Sequence, residues 1–318
     1  MEKLIVSSSP HIHVRYSTQS IMRDVLIALT PAAIASVIFF GIRALLIIAT
    51  CVATAMLSEF LFNLASKKQQ TLNDMSAAVT GLILALSLPA KTELWQAAIG
   101  AVFAIVIVKC FFGGLGCNFA NPAATGRVFL LLAFSLTVGG GSQSLFADTE
   151  LVSSATPLEI IKLGSDAPLP SITDMLIGNR GGAIGETCAI ALVIGGIYLI
   201  ARRIIHWHTP VIYLGTVFLL SLAIKQDVTA ALYQLLGGGV IIAAFFMITD
   251  YVTTPINKVG KAVFAFCCGI LTVILRFWGS YPEGVSFAIL IMNIITPYLE
   301  RLCAYKPLGK AGVKNEKK

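Results

Sequence analysis

The chain has 318 residues, of which 57% are hydrophobic and only 12% charged, and its mean hydropathy is +0.85. A soluble domain carries about one quarter charged residues, so the composition excludes an ordinary soluble protein and indicates an integral membrane protein of apolar helices rather than barrel strands. The net charge of +7 sits at loops and ends, where it reads as a topology signal and a contact for the lipid bilayer, not as a nucleic-acid surface.

Residues 1–20 are polar and lack an apolar h-region, which predicts a cytoplasmic N-terminal segment whose targeting falls to the first helix. Ten apolar segments that could span, or partly span, a bilayer follow. They lie near 22–41, 43–64, 73–90, 95–112, 121–138, 183–201, 209–224, 228–248, 261–278 and 284–302. The third begins at Asn73-Asp74, ends at Pro89 and is short, which predicts a broken or re-entrant helix. The expected division is a first five-helix repeat over 21–138, an extracytoplasmic loop over 139–182, a second five-helix repeat over 183–302 and a basic cytoplasmic tail over 303–318.

The two halves carry matching marks. Asp74-Met75-Ser76-Ala77-Ala78 opens the third segment and Asp227-Val228-Thr229-Ala230-Ala231 opens the eighth. Phe112-Gly113-Gly114 ends the fourth, before Asn121-Pro122; Trp278-Gly279-Ser280 ends the ninth, before Asn293 and Pro297. Five segments per half is an odd number, so the halves are expected to be inverted about an axis in the membrane plane. Chance similarity among Ala- and Gly-rich segments is the competing explanation. The expected fold class is therefore an all-α polytopic membrane protein with about ten transmembrane helices in two inverted five-helix repeats.

With both termini in the cytoplasm, the inner loops hold Lys67, Lys68, Arg202, Arg203, Lys258, Lys261 and the tail from Arg301. The outer loops hold only Arg43, Lys91, Lys162, Arg180, Lys225 and Arg276. That asymmetry follows the positive-inside rule. It places the acidic-leaning 139–182 loop, and Thr156 in it, on the extracytoplasmic side.

Seven cysteines contain no Cys-x-x-Cys. They read as small buried hydrophobes, and no metal site is expected. A ligand from Cys110 or Cys117 to a partner's iron–sulfur cluster is the alternative.

Two motifs carry candidate chemistry. Gly113-Gly114-Leu115-Gly116-Cys117-Asn118-Phe119-Ala120-Asn121-Pro122 combines glycines, which let the backbone approach a ligand, with two amides able to read the edge of a planar ring. A helix–turn–helix connector capped by Asn121 explains it equally. Ser153-Ser154-Ala155-Thr156-Pro157-Leu158 supplies hydroxyls between small residues, on a stretch expected to be open and extended before proline; a plain Ser/Thr-rich loop is the alternative. No Ser-His-Asp arrangement competes, because His11, His13, His206 and His208 are all assigned to the cytoplasmic side. Asp24, Glu59, Asp74, Lys109, Arg127, Glu186, Asp250 and Arg276 lie in or beside apolar segments, where charge is expensive. Asp24, Asp74 and Asp250 are the ion-pathway candidates.

These motifs, with Gly178-Asn179-Arg180-Gly181-Gly182-Ala183-Ile184-Gly185-Glu186-Thr187 and Thr249-Asp250-Tyr251-Val252-Thr253-Thr254-Pro255, resemble the D-type component of the Rnf complex and its relative, the B-type component of the sodium-pumping NADH:quinone oxidoreductase. The resemblance covers essentially the whole chain, and the short N-terminus favours the Rnf component. It implies FMN joined to the Thr156 hydroxyl by a phosphoester, within a Ser153–Thr156 motif that has Ser154 where glycine is usual. It implies a noncovalent riboflavin near Asn118, Asn121, Gly114 and Gly116. It also implies one component of an ion-translocating oxidoreductase, incomplete alone, passing electrons between ferredoxin and NAD coupled to Na+ or H+ translocation in a bacterial or archaeal cytoplasmic membrane. The implied partners are the other Rnf components, namely the G-type flavoprotein, the A- and E-type membrane proteins and the B- and C-type iron–sulfur proteins, together with a flavin transferase for maturation. The competing readings are an inverted-repeat transporter or channel with no redox role, since fold does not set function, and a purely structural component.

Overall fold

The computed structural model describes residues 17–139, 142, 156–163, 169–279 and 283–304. Ser153, Ser154, nearly all of the expected N-terminal segment and most of the tail lie outside these residues. Within them the chain is helical, and β pairing is confined to two isolated bridges, Pro89 with Ala183 and Ser142 with Gly182.

Helix α1 (Thr18–Phe40) starts on Ser17, whose hydroxyl accepts the Ser20 N–H, and ends at Gly41 with φ 68°. Helix α2 (Ile42–Ala65) follows at once. Both turn small residues inward, Ala28 and Ala32 on α1 and Ala44, Cys51 and Ala55 on α2. Ile34, Ile38, Leu57, Leu61 and Leu64 stay exposed. Small inward and large outward residues suit helices that pack against protein on one side and lipid on the other.

Helix α3 (Ser76–Ser87) has 12 residues, nearly all buried. At 1.5 Å per residue it is about 18 Å long, too short for a hydrocarbon core of about 30 Å. Its end would leave carbonyls unpaired inside the membrane. The segment before α9 meets them: Gly185 N–H donates to the Leu86 carbonyl at 2.7 Å and Ile184 N–H to the Leu88 carbonyl at 2.8 Å. Helix α3 is thus shorter than a full span, in keeping with the shortness of the third segment.

Helix α4 (Leu94–Val102) runs into a π-helical stretch, Phe103–Cys110. Helices α5 (Pro122–Ala133) and α6 (Ser135–Val138) close the first half. The short α7 (Pro157–Leu163) and α8 (Ile172–Ile177) occupy the polar interval. Then come α9 (Ala189–Ala201), α10 (His208–Lys225) and α11 (Val228–Leu236), the last capped by Asp227, which accepts the Thr229 and Ala230 N–H groups.

The eighth segment, expected as one span over 228–248, is broken. Helix α12 (Val240–Ile242), continued π-helically over Ala243–Met247, is bent by 63° from α11. Gly238 and Gly239 take φ of 62° and 72° at the break, a conformation glycine adopts without strain. Arg276 donates to the carbonyls of Gln234, Gly237 and Gly238, and Arg180 to that of Leu236. A break inside a membrane is tolerated when such partners re-satisfy the freed backbone. Helices α13 (Lys258–Trp278) and α14 (Val285–Leu302) complete the chain.

Helices α1, α2, α10, α13 and α14 are long and apolar enough to cross a membrane, and the bent α11–α12 pair makes six; α3, Leu94–Cys110, α5 and α9 are shorter apolar helices. The protein is an all-helical, multi-pass membrane protein. In its interior α2 lies along α3 and α4, α1 along α9, α10 along α13, and α5 against α14. The last contact joins the halves: Asn293 on α14 accepts the Asn121 N–H at 2.9 Å and donates to the Thr253 carbonyl at 3.3 Å.

Gly195 marks the closest helix approach. A Cβ there would overlap the Ala28 carbonyl oxygen on α1, a backbone atom that cannot swing aside. Overpacking of this kind costs about 1–3 kcal/mol. Gly195→Val is therefore expected to lower the thermal unfolding midpoint in detergent clearly, while Gly215→Val, at a site open to the surroundings, leaves it nearly unchanged.

Candidate functional site

The glycine/asparagine segment is built as its residues dictate. Gly113, Gly114 and Gly116 adopt φ of 119°, 97° and 94°, so the chain doubles back after Cys110 before α5 begins. Asn121 caps α5 by accepting the Ala123 and Ala124 N–H groups at 3.0 and 3.2 Å, and Pro122 fills the first turn. Asn118 donates to the Ala120 carbonyl at 3.1 Å. Both asparagines are buried and line a cavity. Gly114 and Gly116 do not line it; they shape the turn that presents Leu115 and Asn118.

The cavity walls come from both halves. Ile21, Val25, Val79 and Ile83 come from the first half and Leu199, Ile204, Phe245 and Phe246 from the second, with Ser76, Thr80, Asn118, Asn121 and Asp250 as polar points. A mostly apolar chamber with a few placed polar groups is the usual form of a small-molecule site.

Under the cavity lies a buried ion pair. Lys109 Nζ is 2.9 Å from both carboxylate oxygens of Glu59 and 2.6 Å from Ser76 Oγ. Each side chain of the pair is 2% exposed. Thr71 donates to Glu59 at 2.6 Å, and Asn63 to Thr71 at 3.0 Å. Asp74 accepts the Ser76 N–H at 2.8 Å and its hydroxyl at 2.5 Å, so it serves the start of α3. Asp24 is held by Arg202 at 3.1 Å and Tyr198 at 3.0 Å. Asp250 accepts from Thr253 Oγ1 at 3.0 Å and forms no ion pair among the described residues. Of the three ion-pathway candidates only Asp250 faces the cavity.

Thr156 lies at the opposite end of the helices. Lys261, early in α13, lines a small cleft with Tyr251 and Ile204 beside the first cavity, whereas Arg276, late in α13, adjoins α7. The helix between them is about 22 Å long. The Thr156 backbone N–H donates to the Glu159 carboxylate at 2.7 Å, and the Glu159 N–H donates to Thr156 Oγ1 at 3.3 Å. This is a reciprocal capping box, with Pro157 in the first helical turn. The stretch after Thr156 is thus helical and Thr156 is 4% exposed, where an open, extended segment was expected. Proline's fixed φ favours a helix start as readily as an extended chain, and Glu159 at the third helical position tips the balance. Leu158 anchors α7 on the α11 break, against the position a Gly238 side chain would occupy.

Around the same end, Arg127 pairs with Glu283 at 2.7 Å and donates to the Val138 carbonyl at 3.0 Å. Glu186 is buried and accepts the Ala183 N–H at 3.2 Å, while Arg180 donates to its backbone carbonyl at 2.8 Å. Among the described residues no group of three or more His, Cys, Asp or Glu is placed to hold a metal ion.

The profile of the NQR2, RnfD, RnfE family matches residues 5–309. The chain belongs to that family. It is 44% identical over 317 residues to the D component of the Na(+)-translocating ferredoxin:NAD(+) oxidoreductase complex of Acetobacterium woodii, covering 99% of this chain and 98% of that one. It is 39% identical over 308 residues to the D component of the proton-translocating ferredoxin:NAD(+) oxidoreductase complex of Clostridium ljungdahlii, covering 93% of each. It is 33% identical over 335 residues to the D component of the ion-translocating oxidoreductase complex of Aliivibrio salmonicida, covering 93% of this chain and 95% of that one.

Within this family member, sequence reasoning singled out Glu59, Lys109, Arg127, Glu186 and Arg276 without their partners. It passed over Arg180 and the Tyr198–Arg202 clamp on Asp24. Arg180 carried one signal, a charged residue among glycines; Tyr198 carried none, because an aromatic inside an apolar run looks like any other lipid-facing residue.

Proposed function

We propose that this chain is the D-type membrane component of an Rnf-like complex, which passes electrons between ferredoxin and NAD and couples them to translocation of Na+ or H+. The observation that carries the reading is near full-length identity of 44% to a protein so named. It works within a multi-protein assembly whose other members are the G-type flavoprotein, the A- and E-type membrane proteins, and the B- and C-type iron–sulfur proteins. The finer architecture is ten spans in two inverted repeats, with both termini cytoplasmic and Thr156 outside. Its support is that the third and eighth segments, which open on the matching Asp74 and Asp227 motifs, both hold helices that end short of a full span, with the freed carbonyls met by the Ile184 and Gly185 N–H groups in one and by Arg276 in the other.

Two flavins fit the residues present. FMN on Thr156 suits a hydroxyl that accepts one N–H and donates to no described group, so esterification leaves the helix cap intact. Riboflavin suits the cavity at Asn118 and Asn121: the Asn121 oxygen is spent on the cap, and its amide nitrogen forms no hydrogen bond among the described residues. Flavins supply one- and two-electron chemistry; the protein positions them, excludes water and tunes their charge environment. Apolar walls from Phe245, Phe246 and Ile83 keep water from the inner cavity, and the Glu59–Lys109–Ser76 network keeps its floor rigid.

The test is ferredoxin-dependent NAD reduction by inverted membrane vesicles from cells with and without this protein. Loss on deletion and return on complementation are expected; undiminished activity in the deletion strain would remove the assignment. In the purified complex Asn118→Leu, which removes the amide but keeps the volume, is expected to lower noncovalent flavin content about tenfold or more, consistent with about 1–3 kcal/mol for an unmet polar contact. Acid-released flavin, quantified by chromatography, reads this directly.

A further inference from the structure

A second cavity opens beside α7 at the Thr156 end. Its floor is apolar, formed by Leu158, Ile161 and Phe277, and its polar lining is Lys162, Lys225, Gln234 and Arg276. No carboxylate is among these lining residues. Arg276 is 4% exposed and donates to the Gln234, Gly237 and Gly238 carbonyls and the Gln234 side chain, all neutral. Its Nε is buried with no hydrogen-bond partner. Glu186 and Glu283 act on Arg276 only at longer range, and neither forms an ion pair with it. A buried guanidinium without a bonded anion is costly. Lys225 lies over the Phe277 ring at 5.7 Å, and Lys162 donates to the Gly279 carbonyl. The pocket therefore combines apolar and cationic lining, and one of its lining residues, Leu158, is two positions from Thr156.

We propose that this pocket receives the isoalloxazine ring of the flavin carried on Thr156, and that Arg276, Lys225 and Lys162 hold the negative charge the ring acquires on reduction. The inference rests on the flavin reading of Thr156 and adds to it the place and electrostatic setting of the ring. Reduction of the ring by two electrons with uptake of one proton leaves one net negative charge on it, delivered by the ferredoxin–NAD chemistry of the complex. Positive charge at that position favours the reduced form and raises the reduction potential.

The test uses the purified, flavinylated complex carrying Lys162→Gln/Lys225→Gln, with covalent flavin verified by intact mass and the potential read by visible absorbance during redox titration. At the wild-type midpoint the ratio of reduced to oxidised covalent flavin is expected to fall about tenfold in the double variant, about 30 mV for a two-electron couple. Equal potentials with flavin present in both proteins would overturn the pocket assignment while leaving the Thr156 reading intact; an anionic lipid headgroup as the true occupant would give that result. Wild-type protein without covalent flavin would overturn both, and the mass distinguishes the two failures. If the double variant is not flavinylated, Lys225→Met alone, on α10 rather than α7, is titrated in the same way, and an unchanged potential there overturns the proposal.

Discussion

Thr156→Ala is expected to abolish covalent flavin and, with it, electron flow through the complex, while leaving the fold in place. The hydroxyl is the atom that would form the phosphoester, and alanine offers none. The substitution also removes the helix-capping acceptor of the Glu159 N–H, which costs about 1 kcal/mol. That loss is confined to a 7-residue helix at one end of the molecule, so a stable, correctly inserted chain without covalent flavin is the outcome. Intact mass of the denatured chain, produced with its cognate transferase, provides the measurement: wild type gains one FMN less water and Thr156→Ala does not. Thr156→Ser keeps the hydroxyl and separates chemistry from packing, since it should still accept flavin if the transferase tolerates the missing methyl. An unmodified wild type, with the transferase shown active on a control substrate, would move weight to a transporter or scaffold. The burial of Thr156 adds a requirement: α7 or the residues before it must yield while the transferase acts.

The second large effect is expected at the Glu59–Lys109 pair. Both side chains are 2% exposed, and removing one partner strands the other as an uncompensated charge at membrane depth, which costs about 3–5 kcal/mol. Glu59→Leu and Lys109→Met should each depress the detergent thermal midpoint strongly. The double variant should recover most of the loss, because an apolar pair of similar volume is close to neutral in place of a buried ion pair. Recovery is incomplete to the extent that Ser76 and Thr71 lose their charged partners. A double variant as unstable as the singles would show that the network, rather than the pair, holds the start of α3.

The sequence by itself determined the membrane class, the positions of the apolar segments, the family and the candidate residues. These follow from composition, from runs of apolar residues and from local motifs, all of which survive without knowledge of what each segment touches. The Asn121 cap was legible in the same way: its side chain accepts the N–H groups two and three residues on, a purely local geometry. Tertiary structure alone decided the rest. Apolar runs look alike whether a helix is continuous or bent, so the 63° break at Gly237–Gly239 could not be separated from a span of ordinary length. The carbonyl partners that make the break tolerable, Arg276 and Arg180, come from elsewhere in the chain. Pairing of charges is likewise non-local: Lys109 meets Glu59 fifty residues away, and Arg202 meets Asp24 at a separation of 178. Whether an intramembrane charge is a pathway residue or a structural clamp depends on that partner, which is why Asp24 and Asp74 are tied into structure and Asp250 faces the cavity. Thr156 shows the same limit. Its neighbours announced a hydroxyl between small residues, but only the fold set it as the cap of a helix that leans on the broken α11.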